Sequence, residues 1–146
     1  MKRAHALQEL SREHHEALVL ARRACATAAD PHGLDAQAQR AHLLERWALQ
    51  LAPHFELEEQ TLLPALERAG LHEPVATALA QHACLREMIE RVRQGDVLAL
   101  APWGDAMAIH VRFEERTLFP LAQSVFEPSD LTDVMKPSAP HLSSST

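Results

Sequence analysis

The sequence contains few of the residues that are typical of sheet-rich or loop-rich proteins. Tyrosine is absent, and only four of the 146 residues are glycine. Alanine, leucine and glutamate are abundant instead, and this composition favours helix over sheet. We therefore predict an all-α protein. A chain of this length fits a single domain with one core.

Long apolar runs are also lacking. No segment approaches the roughly 18 apolar residues of a membrane span, and the start, MKRAHALQELSREHHEAL, has no apolar stretch of signal-peptide length. We therefore expect a cytoplasmic protein that has no membrane partner. The two cysteines, Cys25 and Cys84, form no CxxC motif, and we interpret them as reduced, partly buried thiols.

Basic residues are fewer than acidic ones and are not clustered. Fourteen lysines and arginines against twenty acidic residues give a formal net charge of −6. Between Arg12 and Arg68 the basic residues alternate with acids, whereas binding to phosphates needs clustered Lys and Arg. The composition therefore argues against a nucleic-acid partner.

One short pattern of histidine and glutamate occurs twice. Residues 54–64 read HFELEEQTLLP, and residues 110–120 read HVRFEERTLFP. Each copy holds a His-x-x-x-Glu pair, which on an α-helix lies on one face, one turn apart, as metal ligands do. The two pairs are His54 with Glu58 and His110 with Glu114. We predict that two helices contribute to one site from two sides.

Apolar periodicity predicts four helices, at about residues 6–29, 35–63, 73–92 and 106–125. Asp35 is a candidate N-cap of the second helix, and Pro53 predicts a kink or a tightened turn just before His54. Pro102 lies in either a loop or a first turn, so the start of the fourth helix stays open. We predict an antiparallel up-down four-helix bundle over residues 1–126.

Residues 127–146 contain three prolines and end in a Ser/Thr run. Their low apolar content predicts a flexible tail, in which Leu131, Val134 and Met135 are the residues able to pack.

The first and third helices each place a histidine within the apolar stripe. His14 lies four residues after Leu10 and four before Leu18, whereas His15 is rotated away by about 100° and is kept as the alternative to His14. His82 has the same kind of position on the third helix. The complete set of candidate metal ligands is His14, His54, Glu58, His82, His110 and Glu114. Imidazoles and carboxylates without thiolate suit iron, manganese or zinc, and two bridging carboxylates suit a pair of ions.

Each candidate alone also fits an ordinary buried or solvated side chain. Two ionised glutamates in the core would nevertheless cost several kcal/mol without a cation, and no Lys or Arg is periodically placed to supply one. We therefore interpret the set as a metal site. Glu59 and Glu115 point about 100° away and are predicted to be surface or interhelical salt-bridge residues. The remaining histidines are predicted to be solvated: His5, His32, His42, His72 and His141.

The order of these motifs resembles that of hemerythrin-like proteins, which carry the HHE cation-binding domain. The resemblance covers about residues 7–125 and rests on EHH in the first helix, HFELEE, the single His82 and HVRFEERTLFP. It implies a non-haem centre of two iron ions, of the Fe–O–Fe type, bridged by Glu58 and Glu114, in which manganese or zinc can substitute. It also implies a small diatomic molecule or peroxide as the ligand.

The sequence departs from the oxygen-carrying branch of that family. Those carriers have a second histidine four residues after the third-helix ligand and an aspartate five residues after the fourth-helix histidine, where this chain has Arg86 and Glu115. The missing histidine implies more open coordination positions and argues against reversible oxygen transport. We expect a protein that binds or senses O2, NO, peroxide or iron.

The alternative is an oxidoreductase that acts on peroxide or nitric oxide, or an iron donor for repair of iron–sulfur clusters. The sequence leaves open whether the protein is an enzyme. Two other classes of metal protein are disfavoured. A zinc peptidase would carry HExxH, which is absent. A ferritin-like di-iron bundle would carry Glu-x-x-His, whereas no histidine in this chain follows a glutamate by three residues.

Overall fold

The structure is a computed structural model that describes residues 2–137, and within that range every regular element is helical. The predicted all-α class is confirmed. The α-helices are α1 (His5–Ala26), α2 (Leu34–Arg46), α3 (Ala52–Gln60), α4 (Leu62–Arg68), α5 (His72–Arg93), α6 (Leu100–Phe113), α7 (Phe119–Val125) and α8 (Pro128–Val134). No helix among these residues is both long enough and apolar enough to cross a membrane.

Two π-helical turns join neighbouring helices, and each precedes a proline. Trp47–Leu51 joins α2 to α3, and Glu114–Leu118 joins α6 to α7. Each turn ends two residues before a proline, Pro53 or Pro120, which lacks the N–H of a regular helix and crowds the preceding turn. The helix is therefore irregular just before His54, as predicted. The irregularity is a wider, π-helical turn and not the predicted kink or tightened turn.

The two copies of the repeat differ at their conserved threonine. In the first copy, Thr61 leaves the helical region at φ −124° and ψ −75°, and its hydroxyl donates to the carbonyl of Leu57 at 2.6 Å. This break separates α3 from α4. It comes two residues before Leu63, where the second helix was predicted to end or bend. In the second copy the corresponding threonine lies inside the π-helical turn.

The start of α2 corrects the prediction for Asp35, and the start of α6 decides between the two positions left open for Pro102. α2 begins after Gly33, so Asp35 is not its N-cap; it lies in the first turn, where a negative charge favours the helix dipole. α6 begins at Leu100 after a 3-10 turn, Val97–Ala99, so Pro102 lies in its first turn and not in a loop.

Two apolar clusters flank the centre of the molecule. One contains Ala17 and Leu51, and the other contains Leu10 and Leu62. His14 lies in sequence between Leu10 and Ala17, and the buried polar residues Glu58, His82 and Glu114 likewise lie between a residue of one cluster and a residue of the other. The buried histidines and glutamates are therefore enclosed by apolar packing on both sides.

The first part of the predicted tail is helical. Residues 128–134 form α8, and Leu131 is completely buried in the apolar cluster that contains Leu10. α8 packs against α1, and the Thr61 hydroxyl contacts the sulfur of Met135 at 3.7 Å. Leu131, Val134 and Met135, the tail residues predicted to be able to pack, all contact this cluster, while residues 138–146 lie outside the described residues.

Close packing of α1 against α6 depends on Gly104. A Cβ atom at this position would lie 2.5 Å from the carbonyl oxygen of Ala21 and 2.8 Å from the Cys25 sulfur. Gly104→Ala should therefore destabilise the protein by about 1–3 kcal/mol in chemical denaturation, since this clash outweighs the roughly 1 kcal/mol that alanine contributes to a helix. The double variant with Cys25→Ala should recover part of the loss. An unchanged or higher free energy of unfolding for Gly104→Ala would contradict this close approach.

Candidate metal centre

All six predicted ligand residues lie together in the interior. Their exposed fractions are 4% for His14 and His54 and 0% for the other four. His15, the alternative to His14, is exposed and does not join the cluster, because one residue turns its side chain about 100° around α1. His5, His32, His42 and His72 are exposed as predicted, and His141 lies outside the described residues.

The six residues form two overlapping groups that could each hold a metal ion. One group contains His14 and His54, the other contains His82 and His110, and Glu58 and Glu114 belong to both. Within each group the ligand atoms lie within 4.8 Å of one another. We refer to these groups as the His14/His54 position and the His82/His110 position.

The two glutamates each direct one oxygen toward each position. Glu58 Oε2 is 3.2 Å from His54 Nε2, and Glu58 Oε1 is 3.1 Å from His82 Nε2. Glu114 Oε1 is 2.8 Å from His14 Nε2, and Glu114 Oε2 is 3.4 Å from His110 Nε2. Both carboxylates could therefore bridge two ions if each position held one.

Unless the histidines are protonated at Nε2, many polar atoms that face into the cluster have no hydrogen-bond partner. They are Nε2 of His14, His82 and His110, Oε1 of Glu58, and both carboxylate oxygens of Glu114. A buried polar atom without a partner costs about 1–3 kcal/mol. Cations between the histidines and the glutamates would bind these atoms, so the residues present fit a metal site.

The second glutamate of each repeat supports a histidine from another helix. Glu59 Oε2 accepts from His82 Nδ1 at 2.7 Å, and Glu115 Oε2 accepts from His14 Nδ1 at 2.7 Å. Glu59 also binds Arg86, which confirms its predicted interhelical salt bridge. The sequence reasoning missed the contacts with the histidines, although the repeated Glu-Glu pair is the signal that could have revealed them.

The residue directly before His14 and the residue directly before His82 each support a histidine of the repeat. Glu13 Oε1 accepts from His54 Nδ1 at 2.9 Å, and Gln81 Oε1 accepts from His110 Nδ1 at 2.7 Å. A neutral histidine that donates from Nδ1 to these acceptors directs its Nε2 lone pair inward, which is the tautomer that binds metal through Nε2.

Two phenylalanines cover the histidine rings. The Phe55 ring stacks on His82 with centroids 3.9 Å apart, and the Phe119 ring stacks on His14 at 5.4 Å. Both phenylalanines are almost completely buried. They fix the orientation of the imidazoles and form an apolar shell that limits access of water.

Burial and the carboxylates act in opposite directions on the histidine pKa values. Burial lowers the pKa of His110 to about 4, which keeps this ring neutral at neutral pH. Burial also acts against protonation of His14, His54 and His82, but nearby carboxylates outweigh it and raise their pKa values. Burial disfavours the charged form of Glu58, yet His54 holds its pKa well below the usual range. In the metal-free protein, protons thus provide the positive charge that the carboxylates require.

This balance predicts opposite pH dependences for the stability of the metal-free protein and for its affinity for metal. A folded pKa above the unfolded value of about 6.5 stabilises the metal-free protein below pH 6.5, and the contribution is lost as pH rises through the folded pKa. We expect thermal scans to show a lower melting temperature for metal-free protein at pH 8 than at pH 6.5. His110, with its lowered pKa, acts in the opposite direction only below about pH 6.5.

Metal binding must displace the same protons, so affinity should increase with pH. The difference in melting temperature between loaded and metal-free protein should therefore be larger at pH 8 than at pH 6.5. A difference that does not change with pH would contradict the protonation states assigned to His14, His54 and His82.

The fold and the cluster together define a helical protein with a buried site suited to cations. A family model described as the hemerythrin HHE cation binding domain matches residues 5–122, most of the chain. The chain therefore belongs to this family, which confirms the resemblance found in the sequence. Comparison with curated proteins gave no significant match, and neither did comparison with solved structures.

Proposed function

We propose that this protein is an antiparallel up-down four-helix bundle that binds two iron ions and uses them to bind or sense O2, NO, peroxide or iron itself. The proposed ligands are His14, His54, Glu58, His82, His110 and Glu114. The observation that carries the proposal is the orientation of Glu58 and Glu114, which each offer one oxygen to two different pairs of histidines. Two positions that share both carboxylates suit a dinuclear centre better than a single ion.

The donor atoms suit iron, and manganese and zinc accept the same set. Each position offers two imidazole nitrogens and two carboxylate oxygens, without thiolate. When bound, an iron pair would supply a redox-active centre with coordination positions left for an outside ligand. The complete burial of His82, Glu58 and Glu114 restricts such a ligand to a small molecule.

The side chain of Arg86 supports a centre with few protein ligands. Its guanidinium donates to both oxygens of Glu59, at 2.7 and 3.0 Å. Arg86 therefore belongs to the shell outside His82 and adds no ligand to the His82/His110 position. This arrangement agrees with a centre for binding or reactivity more than with an oxygen carrier's centre.

A second candidate is an oxidoreductase acting on peroxide or nitric oxide, or an iron donor for cluster repair. The observation that favours it is the equal number of protein ligands at the two positions. Equal and incomplete ligand sets would leave both ions accessible to a reactant, and both ions able to leave.

Optical spectroscopy distinguishes these candidates. Iron-loaded protein is prepared without oxygen and then exposed separately to O2, NO and peroxide, with zinc-loaded protein as the control. A stable absorption band that disappears when the ligand is removed would support binding or sensing. Continuous consumption of peroxide or NO would support the oxidoreductase, and release of iron the donor. Spectra that none of the three reagents changes would contradict a ligand-accepting iron centre.

A further inference from the structure

We infer that the two metal positions are unequal, because Glu13 makes the His14/His54 position the stronger divalent-cation site while Gln81 leaves the His82/His110 position the weaker one. The weaker position is then the second to fill and the first to lose its ion. This inference rests on the proposed function, and it assigns Glu13 and Gln81 as positioning residues that act through His54 and His110.

The side chains that face the ions do not distinguish the positions. Each position has two histidine Nε2 atoms and one oxygen from each of the two shared glutamates. Each also has one histidine whose Nδ1 donates to the second glutamate of a repeat, at 2.7 Å in both cases. Any difference in affinity must therefore come from the remaining outer contacts.

The outer contacts differ by one charge at equivalent places. Glu13 directly precedes His14 and accepts from His54 Nδ1 at 2.9 Å, and Gln81 directly precedes His82 and accepts from His110 Nδ1 at 2.7 Å. A carboxylate that accepts the Nδ1 proton makes the imidazole a better electron donor at Nε2, and a neutral amide does so less. His54 is therefore the stronger ligand of the two repeat histidines.

The arginines near the site do not remove this difference. Glu115 is paired with Arg3 at 3.2 Å, and Glu59 is paired with Arg86 at 2.7 Å, so each position has one outer carboxylate with a countercharge. Within residues 2–137, Glu13 has no arginine or lysine partner, and its ion-pair contact is with His54. The His14/His54 position thus keeps one more negative charge in its outer shell.

The arginine contacts add a smaller difference in the same direction. Arg86 and His82 bind the same oxygen of Glu59, Oε2, and this sharing reduces the charge available to His82. At Glu115, Arg3 binds Oε1, and the oxygen bound by His14, Oε2, is shared with the neutral hydroxyl of Ser11 at 2.8 Å and not with a cation. Loss of an outer partner of a metal-bound histidine typically costs roughly 10–100-fold in affinity, which sets the scale of the expected effect.

Titration of the full chain with Co(II) tests the inference, with NMR signals of the four histidine Nδ1–H groups as the readout. In the natural sequence, the first equivalent should shift the signals of His14 and His54, and the second equivalent those of His82 and His110. Glu13→Gln should weaken binding of the first equivalent about 10-fold or more and should remove the preference between the positions. Glu9→Gln is the matched control, because Glu9 is exposed on the same helix and pairs with Arg12.

Gln81→Glu supplies the reciprocal test and should strengthen binding of the second equivalent by a similar factor. The inference is overturned if the first equivalent shifts all four signals equally in the natural sequence, or shifts His82 and His110 first. Such a result leaves the proposed function intact so long as two ions bind. Binding of fewer than two ions would instead contradict the proposed function itself.

Discussion

Replacing both shared carboxylates, in Glu58→Gln with Glu114→Gln, should abolish tight binding of metal at both positions while the chain still folds. Glutamine keeps the size of the side chain but removes the negative charge and one of the two oxygens that face different histidines. We expect the affinity for metal to fall by more than roughly 100-fold. That factor is the upper end of the loss typical when an outer partner of a metal-bound histidine is removed. Equilibrium dialysis followed by metal analysis measures this directly.

The appropriate control is Glu56→Gln, which makes the same chemical change at an exposed position of α3. This variant should bind metal as the natural sequence does. Circular dichroism should show helical content for the double variant, because the two apolar clusters on either side of the site are unchanged. Two tightly bound ions in the double variant would rule out the bridging role of Glu58 and Glu114.

Removal of metal should lower the melting temperature strongly. A ligand that binds only the folded state contributes about 4 kcal/mol when its free concentration is 1,000 times Kd. For a domain of about this size, each kcal/mol corresponds to roughly 2–4 °C, so one tightly bound ion should raise the melting temperature by roughly 8–16 °C. Calorimetry of loaded protein, with and without a chelator, gives the difference.

The double variant at Glu58 and Glu114 also serves as the control for this experiment. Its melting temperature should be insensitive to added metal, since the atoms that bind the ions have been changed. A large metal-dependent shift in that variant would show that the stabilising ions bind elsewhere. No shift in the natural sequence would show that the buried cluster does not hold metal tightly.

The residues of the proposed metal site could be predicted from local features of the sequence. The i,i+4 spacing of His54 with Glu58 and of His110 with Glu114 depends only on helix geometry, which is local. The choice of His14 over His15 depends on the phase of the apolar stripe in α1, which is also local. The structure accordingly brings all six residues together and leaves His15 exposed.

Features that depend on contacts between helices were not predictable in the same way. Glu13 and Gln81 gain their roles only because α1 lies beside His54 and α5 beside His110, and no spacing rule relates residues so far apart in sequence. α8 was interpreted as part of a tail because its own apolar content is small. Its burial depends on Leu131 reaching an apolar cluster formed by other helices.

The different responses of the two repeats to their prolines also required the structure. Pro64 and Pro120 occupy the same place in the repeat, yet a break at Thr61 precedes the first and a π-helical turn precedes the second. A proline restricts the preceding turn without determining which irregularity relieves the restriction. Tertiary packing makes that selection.

The most direct test of the dinuclear centre is the iron content of the protein after loading with Fe(II) in the absence of oxygen and removal of unbound metal. The two overlapping groups of ligands predict two iron ions per chain. A value below one iron ion per chain, in protein shown to be folded, would contradict the account.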